Sequence, residues 1–156
     1  MSHEDLPFEG LKVLDLSQGV AGPYCGMHLA RNGADVVKLE PTGTGCWSRQ
    51  LGKAVGDQTA HSVVVHRGKR SIAADLKSRE GLEIALKLAA DCNVMIQNYR
   101  VGKLAKFGLD YESVAKTNPK VVYVAVTGFG QTGPRNDQPA TDSVMQAFTG
   151  MMSINR

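Results

Sequence analysis

The spacing of apolar residues changes period twice in the first forty positions. Leu11-Lys12-Val13-Leu14-Asp15-Leu16 alternates apolar and polar residues and closes on an apolar one, the pattern of a β-strand. Gly19, Gly22 and Pro23 break it. From Cys25 to Asn32, Met27, Leu29 and Ala30 recur at helical spacing, and Gly33 stands where a helix stop is expected. Asp35-Val36-Val37-Lys38-Leu39-Glu40 predicts a second strand, closed by Pro41. Strand, glycine turn, helix and strand in so short a span require parallel pairing through a right-handed crossover. That unit predicts an α/β fold with a Rossmann-like parallel sheet and flanking helices.

The rest of the chain continues the alternation with one interruption. Residues 41–68 carry glycines at 43, 45, 52, 56 and 68 and predict a long excursion with room for one short helix. Ser71–Leu76 reads as a short strand. Ser78–Asp91 predicts a helix with Leu82, Ala85, Leu86 and Ala89 on one face. Asn93–Gln97 reads as a buried strand, Gly102–Phe107 and Tyr111–Thr117 as short helices, the second stopped by Asn118-Pro119. Lys120–Thr127, with Val121, Val122, Val124 and Val126, holds the strongest β signal. A Gly/Pro/Asn loop over Gly128–Ala140 leads into a helix expected over Asp142–Met152, with Asp142 at or near its N-cap. Met1–Glu9 is polar and reads as a leader to one domain over residues 10–156, with no internal repeat.

Composition narrows the function classes. At 156 residues, 42 % hydrophobic and 21 % charged, the chain has the profile of a globular domain. Its 18 basic residues are spread out and nearly balanced by 15 acids, leaving a net charge of +3. That is no basic stripe, so nucleic acid is not expected as a partner, whereas a small polyanion fits. No apolar run is long enough to span a membrane. Cys25, Cys46 and Cys92 show no CxxC spacing and His3, His28, His61 and His66 no ligand spacing, so no metal is expected. An odd cysteine count without a secretory signal points to a reducing cytoplasm.

Four segments could carry chemistry. Gln18-Gly19-Val20-Ala21-Gly22-Pro23 follows the first strand, at the edge where open α/β sheets bind ligands, but it is not G-x-G-x-x-G and a plain tight turn stays open. Arg67-Gly68-Lys69-Arg70 sets three cations around one glycine, either a phosphate clamp or a solvated loop. Asn98-Tyr99-Arg100-Val101-Gly102-Lys103, with Lys106 behind it, could hold an adenine ring and phosphates by stacking and charge, or simply start a helix. Gly128-Phe129-Gly130-Gln131-Thr132-Gly133-Pro134 lets backbone approach a ligand, or forms a surface loop. Trp47, the lone tryptophan, suits a core or lid position.

Taken in order, these segments resemble the opening of the family III CoA-transferases. The resemblance runs through Gly10–Leu16, Ala21-Gly22-Pro23, Gly33–Glu40, Arg67–Ile72, Asp75-Leu76-Lys77, Asn98-Tyr99-Arg100, Gly108-Leu109, Asn118-Pro119, Gly128–Pro134, and Asp142 with Gln146-Ala147 and Gly150-Met151. It departs at Cys46, where Asp is frequent, at His66, where Asn is common, and at Val101, where Pro is usual. The resemblance implies the N-terminal part of the large domain of an enzyme that moves CoA between carboxylic acids. An aspartate carboxylate attacks the acyl-CoA thioester, and the exchange passes through a mixed anhydride and an aspartyl-CoA thioester. It implies coenzyme A as acyl-CoA co-substrate, a carboxylic acid acceptor and an interlocked homodimer. It places Gln18, Gly19, Val20 and Ala21 beside the thioester end of CoA, and Lys69, Arg70, Asn98, Tyr99, Arg100 and Lys106 around the adenine and phosphates. The nucleophilic aspartate is expected beyond Arg156, so that the 156 residues alone are inactive; Asp15 and Asp142 are read as structural. Two alternatives accompany this reading. One is an α-methylacyl-CoA racemase of the same family, disfavoured because Thr141 stands where its histidine base belongs. The other is a non-catalytic CoA-binding module.

Overall fold

The structure is a computed structural model that describes residues 6–154; residues 1–5 of the expected leader lie outside the described residues. Five strands pair in parallel: β1 (Lys12–Asp15), β2 (Asp35–Glu40), β5 (Arg70–Ala73), β6 (Val94–Gln97) and β7 (Val122–Ala125). Their order is β5-β2-β1-β6-β7, and the remaining two, β3 (Ala54–Val55) and β4 (Gln58–Thr59), form a small antiparallel hairpin. Counted along the chain, the sheet reads 3-2-1-4-5, the Rossmann order, and the order in which strands are added reverses between β1 and β6, the switch point. Leu14 sits opposite Val37 on one side and Met95 on the other, which fixes the register of the central strands.

Strand alternation divides the core into two layers. Val13, Val36 and Ile96 face α1 (Ala21–Arg31), where Leu29 and Cys25 cover them. Leu14, Leu39 and Met95 face the other way, onto Ala85 and Ala89 of α3 (Arg79–Asp91). Ser78 caps α3 by accepting the Gly81 N–H at 3.0 Å. Gly81 lies so close to the preceding turn that a Cβ would come 2.2 Å from the Asp75 carbonyl oxygen.

Several boundaries differ from expectation for local reasons. α1 begins at Ala21 rather than Cys25. Pro23 fits the first helical turn, where a missing N–H costs nothing, and Gly22 gives room for Ser17, whose Cβ would be 2.3 Å from a side chain there. The β5 strand runs over Arg70–Ala73 rather than Ser71–Leu76, because Asp75 folds the chain back by accepting the Lys77 N–H at 2.9 Å. The excursion holds a 3₁₀ turn over Trp47–Gln50, the β3–β4 hairpin and α2 (Ala60–His66), opened by a Thr59/Ser62 capping box. Two-residue strands are too short to show alternation, so the hairpin left no sequence signal. Only Ala105–Phe107 of the Gly102–Phe107 segment is helical, as a 3₁₀ turn, while α4 (Tyr111–Thr117) matches expectation. The last helix, α5, covers Asp142–Phe148 rather than Asp142–Met152; Thr141 is its N-cap with Asp142 next to it, and Gly150 at φ +79° separates it from a 3₁₀ turn over Met151–Ser153.

Candidate functional site at the carboxyl edge of the sheet

The turn after β1 and the loop after β6 meet at the switch point. The Asn98 side chain brackets Gln18: its Oδ1 accepts the Gln18 N–H and its Nδ2 donates to the Gln18 carbonyl, both at 2.7 Å. The amide is thereby spent on positioning the turn. On the other side, Gly19 N–H donates to Cys46 Sγ at 3.2 Å, and the Trp47 ring lies so near that a Cβ on Gly19 would fall 2.0 Å from it. Gly19 has φ +80°, so glycine is required there on both counts. Val20 and Ala21 carry the turn into α1 as its N-cap and first residue. Trp47 is 48 % exposed, which makes it a cover over the turn rather than a core residue. Gln18 Nε2 is buried and unpaired among the described residues, a donor aimed at no protein acceptor there.

Beside the turn, on the α3 face, a cleft of about 580 Å³ opens along the carboxyl ends of β2, β5 and β6. Leu39, Pro41, Ala74 and Leu76 form its apolar floor, Tyr99 and Phe107 supply aromatic rings, and Lys77, Arg100, Lys103 and Lys106 border it. Lys106 Nζ stands 4.8 Å over the Phe107 ring. Among the described residues Asp75 is the one carboxylate on the rim, so four cations face one anion. Lys77 and Phe107 have no role assigned from sequence. The signal that could have found Lys77 was the turn after β5, masked by extending that strand to Leu76. Arg100 also borders a second cleft, of about 640 Å³, with Tyr111, Tyr123 and Asp110.

Two expected site residues lie elsewhere. Arg70 begins β5 and makes a bidentate pair with Asp35, which begins β2, at 2.8 and 2.6 Å. Parallel strands share one direction, so this is the amino edge of the sheet, opposite the cleft. The Lys69 side chain is 1 % exposed on the α1 face, where Nζ donates to Asp15 Oδ2 at 2.7 Å and to the Pro23 carbonyl at 2.6 Å. Arg70 thus lies at the far end of the sheet from the cleft, whereas the Lys69 ammonium reaches the last residue of β1 and the first turn of α1 but is buried on the face opposite the cleft. Gln18, Gly19, Val20, Ala21 and Asn98 come together at the switch point, and Tyr99, Arg100 and Lys106 at the cleft beside it.

Asp15 organises the charges behind the turn. It is 0 % exposed, pairs with Lys69 and with Lys38 at 3.5 Å, and accepts from the Ser17 N–H at 2.9 Å and from the Ser17 hydroxyl. Burial alone would raise its carboxyl, but Lys38 and Lys69 outweigh that and hold it below the ordinary value. Burial likewise pulls the Lys69 ammonium down, against the pull of Asp15. Next to this cluster Glu40 accepts two bonds from Arg49, at 2.9 and 2.7 Å, and one from the Cys46 N–H at 2.7 Å. Burial opposes its ionisation, yet the Arg49, Cys46 and Ser71 donors lower it to about 2. Among the described residues no group of three or more His, Cys, Asp or Glu could hold a metal ion, and no helix is long and apolar enough to cross a membrane.

Comparison with known proteins identifies the family and supports the fold. The sequence model described as CoA-transferase family III matches residues 8–156. The chain is 41 % identical over 149 residues to succinyl-CoA:glutarate CoA-transferase of Homo sapiens, covering 95 % of this chain and 34 % of that protein. It is 41 % identical over 161 residues to succinate–glutarate CoA-transferase of Agrobacterium fabrum, covering 99 % and 40 %. The crystal structure of a CAIB/BAIF family protein from Brucella suis superposes with a TM-score of 0.89 at 40 % identity, over 94 % of this chain and 40 % of that one. The chain thus spans about a third to two fifths of the length of these relatives.

Proposed function

The chain belongs to CoA-transferase family III, and from that premise we propose that it binds the CoA part of an acyl-CoA in the cleft beside the β1–β6 switch point. The observation that carries this reading is the pairing of Tyr99 and Phe107 with Lys77, Arg100, Lys103 and Lys106 around an apolar floor at the carboxyl edge. CoA offers an adenine ring and three phosphate groups, which ask for an aromatic or apolar surface and several cations in one place. With the nucleotide there, the Gln18–Ala21 turn is where the pantetheine arm and thioester arrive, and the unpaired Gln18 Nε2 is a donor for it. Lys69 and Arg70 drop out as direct ligands on this reading, since their charges are engaged elsewhere.

The reaction proposed for the whole protein is CoA transfer between carboxylic acids through an aspartyl-CoA thioester. An aspartate carboxylate attacks the thioester carbonyl, giving a mixed anhydride and CoA thiolate. The thiolate attacks the aspartyl carbonyl and expels the donor acid, and the acceptor carboxylate then reverses the two steps. Asp15 is not that aspartate, because it is buried and held by two lysines and Ser17. Thr141 accepts the Val144 N–H as the cap of α5, a role that gives no support to an acid/base group of a racemase. The names of the relatives favour short dicarboxylic acids such as succinate and glutarate as substrates. A cytoplasmic homodimer that takes neither nucleic acid nor membrane completes the proposal; the free thiols of Cys25, Cys46 and Cys92 suit a reducing compartment.

Calorimetric titration of the protein with CoA and with dephospho-CoA tests the binding step. Saturable CoA binding is expected, weaker for dephospho-CoA, and weakened about tenfold by Arg100→Gln, since one charge-assisted contact is worth roughly 1.5–3 kcal/mol. Failure of CoA to bind, or binding indifferent to Arg100→Gln, overturns the placement.

A further inference from the structure

The basic turn Arg67-Gly68-Lys69-Arg70 is not absorbed by the CoA cleft. On the α1 face of the sheet, the side opposite that cleft, there is a separate cavity of about 240 Å³. Strand alternation separates the two: Leu39 of β2 lines the CoA cleft, whereas Lys38 and Glu40 line this cavity. Arg67, Lys69, Arg49 and His66 complete its charged and titratable wall, with Ser62 and Ser71 adding hydroxyls.

Charge bookkeeping across the wall is uneven. Arg49 is matched by Glu40. Lys38 and Lys69 share the single carboxylate Asp15. The Arg67 side chain has no hydrogen-bond or ion-pair partner among the described residues, its backbone N–H donating to the Val64 carbonyl. Four cations therefore surround two carboxylates. Donor capacity is also left over. Lys69 Nζ has three N–H groups and two acceptors, Asp15 and Pro23. His66 Nε2 is bonded to Ser48 Oγ at 3.0 Å, while its buried Nδ1 has no partner. Buried polar atoms are rarely left so unless something else supplies the partner.

We propose that this cavity is a second, independent anion site, which takes a small oxyanion (a phosphate or a short carboxylate) between the Arg67 guanidinium and the spare N–H of Lys69, with the His66 ring beside it. Its volume lies below the ~300–1,000 Å³ of pockets that enclose drug-sized ligands, so a nucleotide is too large and a single dianion fits. An anion there neutralises the surplus positive charge behind the Gly19 turn, to which the site is tied through His66, Ser48 and Cys46. The site rests on none of the residues assigned to the CoA cleft and stands or falls apart from it.

The test is titration of the protein with inorganic phosphate and, separately, with succinate, followed by calorimetry and by the NMR signals of the His66 ring. Wild-type protein should bind at least one of the two saturably and move the His66 resonances. Its imidazole, held at about 4 by burial and by Lys69 and Lys38, should titrate at higher pH once the anion is in place. Arg67→Gln, at an exposed position, should weaken binding about tenfold or more. Preference for phosphate or for succinate identifies the source of the oxyanion. Absence of saturable binding of either ion overturns the proposal. So does binding that is lost in Arg100→Gln but kept in Arg67→Gln, because the ion would then sit in the CoA cleft.

Discussion

Asn98 and Glu40 each satisfy several buried groups at once, so each is a point where one substitution has a large effect. Asn98→Ala removes both bonds to the Gln18 backbone and leaves a part-buried N–H and C=O without partners. A loss of about 2 kcal/mol in urea unfolding is expected, because unsatisfied buried groups cost roughly 1–3 kcal/mol; a change within error would show that water replaces the amide. Glu40 is 3 % exposed and ionises at about 2, below the ordinary 4.5. A carboxylate depressed in the fold contributes stability that is fully present above its unfolded value and disappears as pH falls through 4.5 toward 2. The stake is on the order of 3 kcal/mol, and Glu40→Gln should flatten the pH dependence of unfolding in that window. His66 acts in the same sense at higher pH: neutral in the fold, it costs stability as pH falls from 6.5 toward about 4. That slope should survive in Glu40→Gln, which separates the two groups.

Among the elements, α1 shows packing overriding intrinsic preference. Glycine inside a helix is unfavourable by about 1 kcal/mol relative to alanine, yet α1 carries Gly22 and Gly26 on its buried side. A Cβ at Gly26 would fall 2.9 Å from Asp15 Oδ2 and 3.0 Å from Lys69 Nζ. The helix must lie this close for the Pro23 carbonyl to accept from Lys69. Gly26→Ala should therefore destabilise the protein, by roughly 1–3 kcal/mol, where helix propensity alone would give a gain. Thermal unfolding of the variant decides the sign, and a raised melting temperature would refute the packing argument. At the other end of the scale, α5 buries none of its residues and leaves Val144 and Phe148 exposed. Its amides should exchange with solvent far faster than those of β1 and β6 when the 156 residues are studied by themselves. Hydrogen-exchange mass spectrometry reads the difference directly, and equal protection in α5 and the central strands would contradict it.

For the molecule as a whole, the sheet order brings together what the chain separates. Gln18 and Asn98 are eighty residues apart and bonded to each other because β1 and β6 are neighbours across the switch point. The elements themselves were legible in sequence: β2, α3, β6 and α4 lie where periodicity and the Asn118-Pro119 stop predict them. So were the glycine turn after β1 and the aromatic-basic loop after β6, since each follows a strong strand signal. The β3–β4 hairpin and the true ends of β5 and α5 were not, because two-residue strands have no period and a single Asp75 or Gly150 contact ends an element without changing composition. The fate of the Arg67–Arg70 cations shows the limit most clearly. Sequence established that three positive charges flank one glycine. Only the tertiary structure decided that Lys69 is buried against Asp15, that Arg70 pairs with Asp35 at the amino edge and that the Arg67 side chain finds no partner among the described residues. Local pattern records a residue's type and period, whereas the partner that claims its charge is set by which strands lie side by side, and that is a property of the sheet as a whole.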